Sequence, residues 1–163
     1  MKKKIFFFLL FFLSVAAYAQ KNCDMCGTWI GMYKVQTQSG ICDVKLFVRI
    51  TKQGDKYRVR VKRTFLDNDY TDYFNQCYIT DITDNTISIY TDFINQEYDP
   101  EDQTYMTVRN YYTLSYDDVT MVFSDTGGYY ETWDKNKNYI GKTSMPASSN
   151  MRNIQLYRED DDW

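Results

Sequence analysis

The sequence predicts an all-β protein, an antiparallel up-and-down meander of about eight or nine strands, with a two-sheet β-sandwich as the alternative. Three observations carry this. From Thr28 onward, short runs rich in β-branched and aromatic residues alternate in polarity. Turn-forming residues punctuate those runs. No segment has the three-to-four-residue periodicity of a helix sustained over about ten residues.

Strands are expected over residues 28–36, 41–52, 56–66, 70–80, 86–93, 104–114, 119–124, 129–133 and 153–158. The turns between them fall at Thr37-Gln38-Ser39-Gly40, Gln53-Gly54, Asp67 to Asp69, Thr83-Asp84-Asn85, Tyr116-Asp117-Asp118 and Asp125-Thr126-Gly127-Gly128. Residues 135–150 are polar, carry Pro146 and Ser148-Ser149, and read as a long loop. A hairpin register must place the apolar residues of both strands on one face. The first loop pairs Gln36 with Ile41 and hence Trp29 with Val48; a two-residue loop at Gln53-Gly54 then pairs Val48 with Val59. Trp29, Gly31, Tyr33 and Val35 line up with Val44, Leu46, Val48 and Ile50, and these with Tyr57, Val59 and Val61. Lys45, Arg49, Arg58, Arg60 and Lys62 point the other way, which gives a wall with one dry and one wet face. Eight or nine strands leave two edges unless the sheet closes, so a closed barrel is expected.

The first 19 residues have the three parts of an export signal: Lys2-Lys3-Lys4, an apolar run from Ile5 to Leu13, and the small-residue site Ala17-Tyr18-Ala19. Cleavage after Ala19 is expected to leave 20–163 as a single domain, periplasmic or secreted, without a membrane anchor. The apolar run is shorter than the roughly 20 residues that a spanning helix needs. No lipid-attachment motif precedes the first cysteine, Cys23. The formal net charge of the 163-residue chain is −3, and loss of the signal lysines makes it more negative. That balance speaks against a nucleic-acid partner. The acidic run Glu159 to Asp162 reads as a solvated tail.

Gly27-Thr28-Trp29 opens the first strand and resembles the Gly-x-Trp signature of lipocalins and related calycin barrels. The resemblance implies a lipocalin-like barrel, with Trp29 packed at its closed end under a late arginine, Arg152 or Arg158. Thr71-Asp72-Tyr73 looks like the second motif of that family but follows Trp29 too closely to match it. The helix that lipocalins place before their last strand would fall near residues 142–151, where Pro146 and the serines disfavour it.

Four cysteines, Cys23, Cys26, Cys42 and Cys77, are disulfide candidates in an exported chain. The Cys23-Asp24-Met25-Cys26 spacing is that of a redox pair, but the βαβ setting that would activate a thiolate is missing. The register would let Cys23 or Cys26 reach Cys77 across the barrel floor, leaving Cys42 without an obvious partner. Zinc is not expected, because a second close cysteine pair is lacking. The chain contains no histidine, which removes Ser-His-Asp and Cys-His nucleophiles and histidine metal sites. Asp134-Lys135-Asn136-Lys137-Asn138 starts like a calcium loop, but Tyr139 stands at the glycine position and Met145 at the bidentate glutamate. No cofactor, metal or catalytic residue is assigned, and a non-enzymatic role is expected.

Two functions follow as expectations. In the first, the barrel holds a small apolar or amphipathic ligand against Trp29, Tyr33, Leu46, Val48, Tyr57, Val59 and Val61. In the second, the barrel is filled and serves as a scaffold, and some of the sixteen tyrosines form a surface that recognises a glycan or another exported protein.

Overall fold

The computed structural model describes residues 23–38, 40–74, 76–95 and 104–159; the expected export segment and residues 160–163 of the acidic tail lie outside them. Ten antiparallel strands form one sheet: β1 (Gly27–Thr37), β2 (Gly40–Gln53), β3 (Lys56–Phe65), β4 (Tyr70–Tyr73), β5 (Cys77–Ile82), β6 (Thr86–Asn95), β7 (Tyr105–Tyr116), β8 (Thr120–Trp133), β9 (Tyr139–Met145) and β10 (Ile154–Glu159). Their order across the sheet is β4-β3-β2-β1-β10-β8-β7-β6-β5, with β9 on β8. Among the described residues no helix is long and apolar enough to cross a membrane.

The sheet curls strongly and stays open. This corrects the closed, lipocalin-like barrel, and the fold is not a clear sandwich either. The reason lies in residues 70–80, expected as one strand. Asp72, opposite the inward Arg63, and buried Phe74 put even-numbered residues on the core side. Beyond the break, Cys77 pairs with buried Thr91 and Ile79 with buried Ile89, so odd-numbered residues face inward. The side-chain alternation is therefore inverted between the described residues Phe74 and Cys77, and a strand cannot keep its ladder through such a slip. β4 pairs only with β3, β5 only with β6, and no ladder joins β3 to β5. Their Cα atoms approach within 8 Å, yet they meet as a half-barrel's two lips.

Elsewhere the hairpin logic holds in its faces and shifts in its loops. Trp29 pairs with Val48 and Gln36 with Ile41. Val48 pairs with Val61 rather than Val59, because the β2–β3 turn is Gly54-Asp55, with Gly54 in the left-handed region at φ 61°. A shift of two leaves every side chain on its face. Lys45, Arg49, Arg58, Arg60 and Lys62 accordingly sit on the convex side.

Two expected strands and a turn merge into β8. Its neighbour changes along its length: Thr120 to Phe123 pair with β10, and Gly128 to Trp133 with β9. The join is an irregularity opposite Tyr111/Tyr112, where Gly127 takes φ 95° and donates its N–H to Asp125 Oδ1 at 2.6 Å. The other carboxylate oxygen of Asp125 accepts from Ser148 N at 3.1 Å and anchors the segment that follows β9. The long loop expected over residues 135–150 thus contains β9, a mostly exposed strand held by main-chain pairing rather than by apolar alternation. A single 3-10 turn, Ser149–Met151, stands before β10.

The core fills the concave side. Trp29, Val44, Leu46, Val48, Ile50, Ile87, Ile89, Leu114, Met121, Phe123 and Leu156 are essentially inaccessible. Phe74 lies against Tyr112 and Phe123 at centroid distances of 5.3 and 6.4 Å, which ties the β4–β5 break to the far wall. At the opposite end the Cys23–Cys26 turn covers Trp29, whose Nε1 donates to Met25 O at 2.9 Å. Arg158 stacks over the Trp29 ring with its Cζ 4.8 Å from the centroid and also donates to Asp24 O. Arg152 is exposed and takes no part. Arg158 thus covers Trp29, but at one end of an open half-barrel and not at the closed end of a lipocalin-like barrel.

Candidate functional site

The seven residues expected to line an enclosed ligand chamber do not form one. Trp29, Tyr33, Leu46, Val48, Val59 and Val61 pack into the core cluster, and Tyr57 lies half-buried at its margin. Side chains that contact one another in this way leave no chamber, and the open lip between β3 and β5 is inconsistent with an enclosed pocket. The interior-carrier reading is therefore corrected. Tyr57, Val59 and Val61 instead line a slot of about 700 Å³ along the seam, facing Phe74, Gln76, Cys77 and Tyr78.

The four candidate cysteines divide. Cys23 and Cys26 form a disulfide with Cα atoms 5.1 Å apart, inside the turn closed by Cys26 N donating to Cys23 O at 2.9 Å. Cys42 and Cys77 take part in no disulfide among the described residues. Burial pushes both thiols up, Cys77 to about 11, the reverse of what a reactive thiolate needs. Among the described residues no cluster of three or more acidic, histidine or cysteine side chains could hold a metal ion. The loop at Asp134 satisfies itself: its carboxylate accepts from the N–H groups of Asn136 and Asn138 and from Asn138 Nδ2, each at 2.8 Å. These bonds hold the Asp134 carboxyl below its usual range, so it acts as the clamp of a turn.

The densest arrangement of recognition chemistry is on the convex face of β5 to β9. The ladder register puts Tyr78 opposite Tyr90, Tyr90 opposite Tyr111, Asp92 opposite Arg109, and Arg109 opposite Tyr129. The rings follow suit. Tyr78 and Tyr90 stack at 4.9 Å with planes 16° apart. Arg109 Cζ lies 4.2 Å from the Tyr90 ring and 5.8 Å from the Tyr129 ring, and Lys142 Nζ lies 3.3 Å from the centroid of Tyr129. Tyr111 stands beside both, 6.0 Å from Tyr90 and 6.3 Å from Tyr129. Each aromatic pair contributes about 0.5–1.5 kcal/mol and each exposed cation–π contact about 0.5–1 kcal/mol, so the row holds itself rigid.

A two-pronged ion pair fixes its centre. Arg109 Nε and Nη2 donate to the two oxygens of Asp92 at 2.6 and 2.8 Å. This fork raises the Arg109 pKa still further, so the guanidinium is permanently charged. Both side chains remain about one-third exposed. The same face forms a depression of about 500 Å³ lined by Tyr78, Asp92, Arg109, Tyr129, Glu131 and Trp133, among others. Trp133 packs edge-on against Tyr139 at 5.2 Å, and its indole Nε1 is shielded from solvent without a hydrogen-bond partner.

The sequence pointed to this face only through its tyrosine excess as a whole, and Asp92, Arg109 and Trp133 were not anticipated. The signal available was weak: Arg109 and Asp92 come into register only through the β6–β7 pairing. Fold and face together define a class, an open antiparallel half-barrel bearing an aromatic and cationic convex surface. No family model, curated protein or solved structure matches the chain.

Proposed function

We propose that the chain is an exported, non-enzymatic recognition module that binds a glycan on the convex face of the half-barrel. One observation carries this reading: the depression bounded by Tyr78, Tyr129 and Trp133 combines aromatic surface with the Asp92–Arg109 fork and Glu131. A pyranose ring has an apolar C–H face and a rim of hydroxyls. Aromatic side chains suit the first, while carboxylates and a guanidinium suit the second. The volume falls within the range of ordinary small-ligand sites. Because the ladder already orders Tyr129 and Arg109, little side-chain entropy remains to be lost on binding.

The test is a glycan array followed by titration calorimetry with the best binder. Trp133→Ala and Tyr129→Ala should each weaken binding at least about tenfold, equivalent to about 1.4 kcal/mol, with the far-ultraviolet circular dichroism unchanged. Ligand addition should shift the fluorescence of Trp133, read in the Trp163→Phe background with buried Trp29 as the constant component. An array without reproducible binders, or variants that bind as tightly as the parent, would overturn the reading.

A further inference from the structure

The convex face carries a second feature that the glycan reading does not use. Between Lys45 and Thr64 the sequence holds eight basic residues and a single acid, Asp55, and while Arg63 turns inward onto Asp72, Lys45, Arg49, Arg58, Arg60 and Lys62 sit on the convex side, although the whole chain is net negative. The β2–β3 register stacks them: Arg49 faces Arg60 directly across the ladder, Thr51 faces Arg58, and Phe47 faces Lys62. Like charges placed directly opposite, as Arg49 and Arg60 are, repel across a sheet, while Lys62 and Lys45 rest their Nζ atoms 4.3 and 4.8 Å from the Phe47 ring. Arg58 and Arg60 are exposed and have no ion-pair partner among the described residues. Alternate residues on a strand are roughly 7 Å apart, so Arg58, Arg60 and Lys62 form a straight row of cations spanning roughly 13 Å.

This row is continuous with the tyrosine depression because the sheet is curled and open. Arg58 and Arg60 line a cleft of about 260 Å³ beside Arg49 and Thr51, and they also line the seam slot. Gln76 and Tyr78 line the other lip of that slot and, equally, the depression that holds Arg109 and Trp133. One path therefore runs from the arginines of β2 and β3, across the seam, to the aromatic row.

We propose that the partner is an extended acidic glycan, bound across the seam with its sugar rings at Tyr78, Tyr129 and Trp133 and its carboxylate or sulfate groups at Arg58 and Arg60. This inference rests on the glycan reading and adds the charge, the length and the direction of the ligand. A glycan fits better than a nucleic acid for two reasons. The row Arg58, Arg60 and Lys62 lies at one end of the path, whereas Arg109 at the other end is already paired with Asp92, and a net-negative protein repels a polyanion charged at every unit.

The test compares array members that share a backbone and differ only in charge: uronic-acid, sialylated and sulfated glycans beside their neutral counterparts. At low salt the acidic members should bind the intact protein at least about tenfold more tightly. The advantage should vanish in the double variant Arg58→Gln, Arg60→Gln and should shrink in high salt, where charges are screened within about 3 Å. Binding of the neutral counterparts should be unaffected. The double variant removes a repulsive pair from an exposed face, so its melting temperature should equal or exceed that of the parent. Equal binding of acidic and neutral members would overturn this inference and leave the glycan reading standing; no binding to any glycan would overturn both. Tighter binding of an oligonucleotide than of any acidic glycan would also overturn it.

Discussion

Cys77 lies at the lip of β5, opposite Thr91, with the Val61 N–H directed at its sulfur, and burial pushes its pKa to about 11. The neutral thiol is the form the fold favours. Its contribution to stability is fully present below the ordinary thiol value of about 8.5 and is lost as pH rises through about 11. Urea unfolding at intervals from pH 7 to 11 should show an alkaline decline in the parent that is shallower in Cys77→Ser; identical profiles would contradict this. The same burial makes alkylation of Cys77 at pH 8 slow in the folded protein and fast in denaturant. Trp29 shows residue-scale determination of another kind: its position at the start of the first strand was legible, and its Nε1 bond to Met25 O and its cover by Arg158 follow from packing at that end.

At the scale of elements, the fold is decided at two irregularities. In β8, Gly128 lies so close to β7 that a Cβ there would meet the Arg109 carbonyl oxygen at 2.0 Å. Only backbone movement could relieve that contact, and the backbone in question carries the arginine of the recognition face. Gly128→Ala should therefore destabilise the protein by about 3 kcal/mol and weaken glycan binding at the same time. Chemical denaturation and calorimetry check the two effects separately, and a variant as stable as the parent would show that the strands can part locally at no cost. The second irregularity is the slip between Phe74 and Cys77. It was written in the sequence as a change from even to odd inward positions, Asp72 and Phe74 before it and Ile79 after it. A reading that assumes an uninterrupted strand passes over such a change. β9 illustrates the opposite difficulty, because its sequence has no apolar alternation and only its ladder to β8 makes it a strand.

For the molecule as a whole, an open half-barrel predicts uneven protection. β1, β2, β8 and β10 lie in the middle of the sheet with ladders on both sides, whereas β4 and β5 are edges. Hydrogen exchange should proceed orders of magnitude faster in β4 and β5 than in the centre, with the lip of β3 from Lys56 to Arg60 losing its outward-pointing amides early. Uniform protection across β3 and β5 would mean that the two lips are hydrogen-bonded in solution. Binding of an extended ligand across the seam would slow exchange at both lips together, which gives the proposed path an independent signature.

The sequence by itself determined the all-β class, most strand positions, the pairing of Trp29 with Val48, and the division of β1 to β3 into a dry and a wet face. These are local quantities: a two-residue period and turn chemistry fix which way each side chain points, and a register error of two leaves that unchanged. Only the tertiary structure decided that the sheet remains open, that all the expected ligand-facing residues but Tyr57 are packed core, and that Asp92, Arg109 and Trp133 join the tyrosines. Closure depends on whether two edges far apart in sequence can share a ladder. Assembly of the convex face depends on cross-strand register accumulated over five strands, and a single extra residue at any of them would have placed those side chains elsewhere.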